Sequence, residues 1–227
     1  MTNAPADKLP RVLSHSAHEV RTPLSVALGF IGFVLRDKKA QVTEQQREWL
    51  ELANKACRRL AELADEMSEL SNLESGEATL NRTPTDLRAL LVQAIAALHV
   101  ADREIDVELS TGDGPAIVHA DASRLRKAFT SILFALGLET SGTKLFVQER
   151  SGEYAGKPVS WIVIGDFDRV QTLPGIAPEL LDPFNEKRGK IGLSLWIASW
   201  VLNAHGGAIW SPPGSVKTAA VVMVPLA

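Results

Sequence analysis

His18-Glu19-Val20-Arg21-Thr22-Pro23-Leu24 is the stretch from which the rest of the chain can be read. An imidazole sits beside a carboxylate, with a hydroxyl four positions further on. Apolar residues at steps of three and four run to either side: Leu9, Val12, Leu13, Val20, Leu24, Ala27, Ile31 and Val34. That spacing predicts an amphipathic helix over about 8–37. Positions i and i+4 share a helix face, so Thr22 falls one turn from His18. Such a layout suits a histidine that accepts and releases a phosphoryl group, because imidazole is a nucleophile able to carry a covalent intermediate. With an ordinary pKa of about 6.5, imidazole is largely neutral at pH 7. His15, three residues earlier, could pair with His18 on a metal, but no cysteine or acidic cluster completes a ligand set. A solvated or helix-packing His15 is the expectation.

The seven residues resemble the phospho-acceptor box of the sensor histidine kinases of two-component systems, whose pattern is His-Glu-x-x-Thr-Pro. The resemblance implies that His18 is the phospho-accepting residue. It implies that Glu19 orients the ring and takes a proton as general base. Thr22 then holds a water for dephosphorylating a partner's aspartate. Pro23 lacks an N–H and is expected to bend the helix just after the site.

A second helix is expected after the polar Arg36-Asp37-Lys38-Lys39, with Thr43 as N-cap. Trp49, Leu52, Ala56, Leu60, Leu63, Met67 and Leu70 carry its stripe, and it ends near Ser75-Gly76. Two helices cannot enclose a core. Two such hairpins can, as a dimeric four-helix bundle. The domain boundary is placed at 78/79: a hairpin for dimerisation and histidine phosphotransfer over 1–78, and a second domain over 79–227.

After Leu80-Asn81-Arg82-Thr83-Pro84, Thr85 or Asp86 is expected to cap a helix over about 86–100. Further helices are expected over 122–138 and 191–204. Strands are expected near 104–110, 116–120, 143–150, 158–166, 207–211 and 218–225. Helices on one side of a mixed sheet make an α/β sandwich, so the whole chain is α+β. The order resembles the Bergerat-type ATP-binding domain of the same kinases, with relatives among type II topoisomerases and Hsp90-like chaperones.

The nucleotide motifs depart from that family. Its Asn-x-x-x-Asn helix corresponds to 121–140, where Asp121, Arg124, Leu125 and Thr140 fit. Ser131 and Ala135 replace the asparagines, and a methyl group cannot ligate Mg²⁺. Leu138 replaces a lysine. In place of Asp-x-Gly-x-Gly stands Asp166-Phe167-Asp168, with Asp166 the candidate adenine contact. Pro174-Gly175-Ile176 and Pro178-Glu179-Leu180-Leu181 resemble the rest of that motif, displaced. In the phosphate loop only Gly192 matches; Arg188 and Lys190 stand where glycines belong. Lys187, Arg188 and Lys190 read as a solvated charge run. Asp166 and Gly192 are therefore residues of a vestigial nucleotide site. The helix with Trp196 and Trp200 and the turn His205-Gly206-Gly207 continue the resemblance, both tryptophans being expected in the core.

Composition sets the background. The chain has 227 residues, 45% hydrophobic and 22% charged, ordinary values for a globular protein. A net charge of −3 offers no electrostatic footprint for nucleic acid. No apolar run approaches the roughly 18 residues of a membrane span. The sole cysteine, Cys57, excludes an internal disulfide and is expected to pack as a small apolar residue. The N-terminus lacks a signal-peptide layout, so a cytoplasmic protein is expected. Only 17 residues precede His18, so input is expected through another protein, such as an upstream hybrid kinase.

Three functions remain open on the sequence. In the first, His18 exchanges phosphoryl groups with receiver-domain aspartates of response regulators, without stable ATP binding, using Mg²⁺ held by the receiver. In the second, the chain is an ATP-dependent kinase that phosphorylates His18, with Glu139 as a substitute Mg²⁺ ligand and a phosphate loop from 186–192. In the third it is a non-catalytic pseudokinase that docks receivers.

Overall fold

The computed structural model describes residues 8–37, 42–76, 79–100, 105–140, 144–173, 178–213 and 219–227. It divides into two compact units, 1–79 and 80–227.

The first unit is a helical hairpin of α1 (Lys8–Arg36) and α2 (Glu44–Glu74). Thr43 caps α2 with a reciprocal pair: its hydroxyl accepts from the Gln46 N–H at 3.2 Å, and its own N–H donates to the Gln46 side chain at 2.9 Å. The helix runs through Pro23 without a break. The missing proline N–H leaves the Glu19 carbonyl without its i+4 donor, so the exposed side of α1 is weakened beside His18. Ala17 and Leu24 are buried, and Leu13, Ala27 and Ile31 are partly covered by α2. Leu9, Val12, Val20, Val34, Trp49, Leu52 and Leu60 stay exposed. Both helices thus carry more apolar surface than one partner helix covers. Cys57 is half-buried and free.

The second unit is an α/β sandwich. After β1 (Thr83–Asp86), α3 (Leu87–Ala96), β2 (Asp106–Ser110) and β3 (Ile117–Ala120) comes the long α4 (Ala122–Glu139). Then follow β4 (Lys144–Tyr154), β5 (Lys157–Gly165), α5 (Phe167–Thr172), β6 (Asp182–Pro183), α6 (Ser194–Ala204), β7 (Ala208–Ser211) and β8 (Ala219–Pro225). Six strands form one sheet in the order β2-β4-β5-β8-β7-β6, parallel only between β2 and β4. Strands β1 and β3 form a separate antiparallel ribbon.

Period-two alternation gives the sheet two apolar faces. Leu145, Val147, Ile162, Ile164 and Val222 are buried on the face that meets Leu125, Phe129, Ile132, Leu133 and Leu136 of α4. Val163, Ala219 and Val221 face the other way and pack with Val170 and Leu173 of the α5 segment, flanked by Phe146, Trp161 and Trp210. On α6 the buried stripe is Leu195, Ala198, Val201 and Leu202. Trp196 lies off that stripe and is exposed, contrary to its expected place in the core; Trp200 is half-buried.

Asp121 joins several parts of this unit. As N-cap of α4 it accepts from Arg124 N, Ser123 Oγ and Asn81 N. Its own N–H donates to His205 Nε2 at 2.9 Å, while His205 Nδ1 faces the Val201 carbonyl at 2.7 Å. Gly207 follows because a Cβ there would meet the Met223 carbonyl at 2.5 Å. The turn His205-Gly206-Gly207 is therefore a packing device between α6 and the sheet. Burial raises the Asp121 pKa, but hydrogen bonds from Ser123, Arg124 and Asn81 and the Arg124 charge outweigh it, leaving the pKa below the ordinary value. A depressed folded pKa contributes stability above the unfolded pKa and loses it as pH falls through the folded one. Asp121→Asn is expected to cost up to about 1 kcal/mol at neutral pH and to flatten the loss of stability below about pH 4, as read by urea melts across pH.

Candidate functional site

His18 lies on the exposed side of α1, away from the buried Ala17 and Leu24. Thr22 is also exposed, and its hydroxyl donates to the His18 carbonyl at 3.4 Å. The structure thus brings Thr22 to His18 within one turn. Glu19 is exposed beside them, but among the described residues its carboxylate makes no hydrogen bond to the ring. Adjacent helical residues point roughly 100° apart, so Glu19 reaches the imidazole only by turning its side chain.

On the N-terminal side of His18 a pocket of about 490 Å³ opens between the two helices. His18, His15, Arg11 and Arg21 line it from α1, and Ser68 and Ser71 are among those lining it from α2. Arg21 is held by Asp65 at 2.7 Å and by the Ser68 hydroxyl at 3.2 Å. Ser71 is buried and donates to the Pro10 carbonyl at 2.6 Å, tying the end of α2 to the start of α1. Arg36, at the far end, bonds its own helix at the Gly32 carbonyl and sits over Phe33. Among the described residues no group of three or more histidine, cysteine, aspartate or glutamate side chains is placed to hold a metal ion.

In the second unit, Asp166 follows β5 as the N-cap residue of α5 and accepts from the Thr140 hydroxyl at 2.7 Å. The residues after it form α5, so Asp168 is an exposed first-turn residue rather than part of a glycine-type loop. Pro174-Gly175-Ile176 lies outside the described residues. Gly192 is exposed with φ +78°, just before α6. The expectation of a solvated basic run fails at Arg188, which is only 7% exposed. Its Nε and Nη2 donate to Glu139 Oε2 at 3.0 and 2.7 Å, and its Nη1 donates to the Ala219 carbonyl at 2.7 Å. The Phe184 ring lies 5.8 Å from the guanidinium. Glu139 Oε1 accepts the Gly189 N–H at 3.1 Å. Glu139, expected as a substitute metal ligand under the ATP-dependent reading, spends both oxygens on this loop. Gly189, at φ +63°, packs so closely that an added Cβ would lie 2.8 Å from Ala135 Cα. Glu139 and Arg188 are 49 residues apart, and no pattern in the sequence marks them as a pair.

A helical hairpin with an exposed histidine, followed by this sandwich, is the arrangement also found in two-component histidine kinases. The chain is similar to members of that family, and the His Kinase A (phospho-acceptor) domain matches its residues 9–76. It is 28% identical over 204 residues to the circadian input-output histidine kinase CikA of Synechococcus elongatus, covering 87% of this chain and 27% of CikA. It is 28% identical over 227 residues to the probable sensor histidine kinase TcrY of Mycobacterium tuberculosis, covering 94% of this chain and 45% of TcrY. The chain therefore spans less than half the length of these relatives. Among solved structures the fold is similar to full-length ShkA in complex with AMPPNP, with a TM-score of 0.68 and 23% identity over 96% of this chain and 45% of ShkA. It is also similar to the histidine kinase ThkA in complex with the response regulator TrrA, with a TM-score of 0.55 and 19% identity over 96% of this chain and 61% of that one. Among the described residues no helix is long and apolar enough to cross a membrane.

Removing the Arg188 side chain leaves the partly buried Glu139 without its guanidinium partner. Arg188→Ala is expected to destabilise the chain by about 3 kcal/mol. Gly189→Ala is expected to destabilise it as well, through both the positive φ and the Ala135 contact. Chemical denaturation of the two variants checks both expectations.

Proposed function

We propose that the chain is a phosphorelay protein of histidine-kinase descent. His18 carries a phosphoryl group and exchanges it with receiver-domain aspartates of response regulators, without binding ATP itself. The observation that carries this reading is the contrast between the two units: His18 and Thr22 stand exposed on one helix face, while the loop of a nucleotide site is packed shut.

In the transfer, the lone pair of a His18 ring nitrogen attacks the phosphorus of a receiver's aspartyl phosphate. The N–P bond forms, the P–O bond breaks, and the aspartate leaves with the electron pair. The proton on the other ring nitrogen passes to Glu19, once turned toward the ring, or to solvent. The reverse reaction delivers the group to a second receiver. Both directions depend on positioning, with Mg²⁺ supplied by the receiver. Thr22 holds the water that hydrolyses the receiver's aspartyl phosphate.

The donor set of the second unit speaks against Mg-ATP. Ala135 offers a methyl group where a metal ligand is needed, and the Arg188 guanidinium already takes Glu139. ATP-dependent phosphorylation of His18 remains the second reading, favoured by the Asp166–Thr140 pair at the end of β5. Incubation with γ-labelled ATP and Mg²⁺ separates the two. The expected result is no acid-labile label from ATP, and label from a phosphorylated receiver that disappears in His18→Ala. Label from ATP that depends on His18 would make the chain a true kinase. Transfer and signalling that survive His18→Ala would leave only a docking module. Thr22→Ala is expected to slow receiver dephosphorylation about tenfold or more while sparing transfer.

The reading includes a homodimer. Val26, Phe30 and Phe33 of α1 follow one another at steps of four and three, with Phe30 and Phe33 each 68% exposed; Leu52 of α2 is 66% exposed. A surface of this kind fits the hairpin of a second copy in a four-helix bundle. Phe30→Glu combined with Leu52→Glu is expected to convert a dimer into a monomer in sedimentation equilibrium. An unchanged mass would place the dimer surface elsewhere.

A further inference from the structure

We propose that the pocket beside His18 is an oxyanion site, in which Arg11 and His15 hold the phosphoryl group on its way to and from the imidazole. The proposal rests on the reading of His18 as the phosphoryl carrier and adds two positioning residues to it.

Arg11, His15 and His18 follow one another at steps of four and three, so they share a face of α1. All three line the same pocket of about 490 Å³, together with Arg21. Apart from Pro10, every side chain lining it bears an N–H or O–H group, and none is a carboxylate. The Ser68, Ser71 and Ser75 hydroxyls donate to the Ala64, Pro10 and Asn72 carbonyls, so the donors left to meet acceptor oxygens come chiefly from α1. The two arginines differ in availability. Arg21 is committed to Asp65 and Ser68. Arg11 and His15 are exposed and, among the described residues, make no ion pair or hydrogen bond. A phosphoryl group on a ring nitrogen carries up to two negative charges, and charge-assisted contacts to such oxygens are the strong ones. His15 lies one turn away and Arg11 two turns, the latter with a side chain long enough to close the gap. His18 thus separates two tasks. Thr22, one turn C-terminal, serves hydrolysis; Arg11 and His15, N-terminal, serve capture of the anion.

The test has two arms on the full chain. The first titrates inorganic phosphate while following the imidazole signals of His15 and His18 by NMR. Wild type and His18→Ala are both expected to bind phosphate. Arg11→Ala with His15→Gln is expected to weaken binding about tenfold or more, and Arg11→Lys to retain most of it. The second arm measures uptake of the phosphoryl group from phosphoramidate. The double variant is expected to raise KM about tenfold and to change the maximal rate by less than about twofold. Circular dichroism melts confirm that these exposed positions leave the fold intact. Phosphate binding and KM unchanged in the double variant would overturn the oxyanion site, and so would a wild type that binds no phosphate. A wild type that binds phosphate through Arg11 and His15 yet takes no phosphoryl group would instead defeat the carrier reading, and the transit role with it.

Discussion

A guanidinium taken out of water has to be answered by a carboxylate, and the pairing of Arg188 with Glu139 sets the form of the loop before α6. Arg188 is the only cation among the buried residues described. Its three hydrogen bonds reach the end of α4 and the start of β8, two elements that flank the loop. Once that pair forms, Gly189 is drawn onto Ala135, and only a glycine can follow, because φ is positive and a Cβ would strike the helix. Alanine at 135 is the other half of the fit. A longer side chain there would hold the loop away. The substitutions that look like damage to a nucleotide motif are, in this geometry, mutually consistent packing.

That consistency bears on how such a chain is stabilised. A flexible loop around a ligand leaves its amides to water or to the ligand. Here the Gly189 amide is satisfied by Glu139 and the Phe184 ring lies against Arg188. A buried ion pair is not in itself a source of net stability, since desolvation offsets much of the attraction. Its effect is specificity: one loop conformation satisfies all the partners, and competing ones leave a charge stranded.

The hairpin and the order of the sandwich were legible in the sequence because they rest on local rules. Steps of three and four located α1 and α2, Thr43 marked the start of α2, and Thr85 or Asp86 marked the start of α3. The His18–Thr22 relation was equally legible, being a matter of helix period alone. What escaped depends on contacts distant in the chain. The short β1 escaped because Pro84 and two threonines read as linker until β3 pairs with them. Helix α5 escaped because Asp166-Phe167-Asp168 was read against a glycine motif rather than as the start of a turn of helix. Arg188 was read as solvated because a run of charges usually is, and its partner lies on another element. Trp196 was read as core together with Trp200 one turn on, although it lies one position off the stripe of Leu195 and Ala198 and is exposed.

The contrast between the units follows from the kind of chemistry each would have to support. Histidine–aspartate exchange needs an exposed nucleophile on a rigid element, since the partner brings the metal and the leaving group. A long helix pinned by Ser71 to the Pro10 carbonyl and by Arg21 to Asp65 supplies that rigidity while leaving one face open. Pro23 withholds one backbone hydrogen bond beside the site, and the cost is borne by the packing of Leu24 against α2. Nucleotide binding needs the opposite: an unfilled cleft, free amides and a metal ligand, each costly to keep when no ligand is bound. In the proposed reading, the contacts among Arg188, Glu139 and Gly189 stand in place of those features.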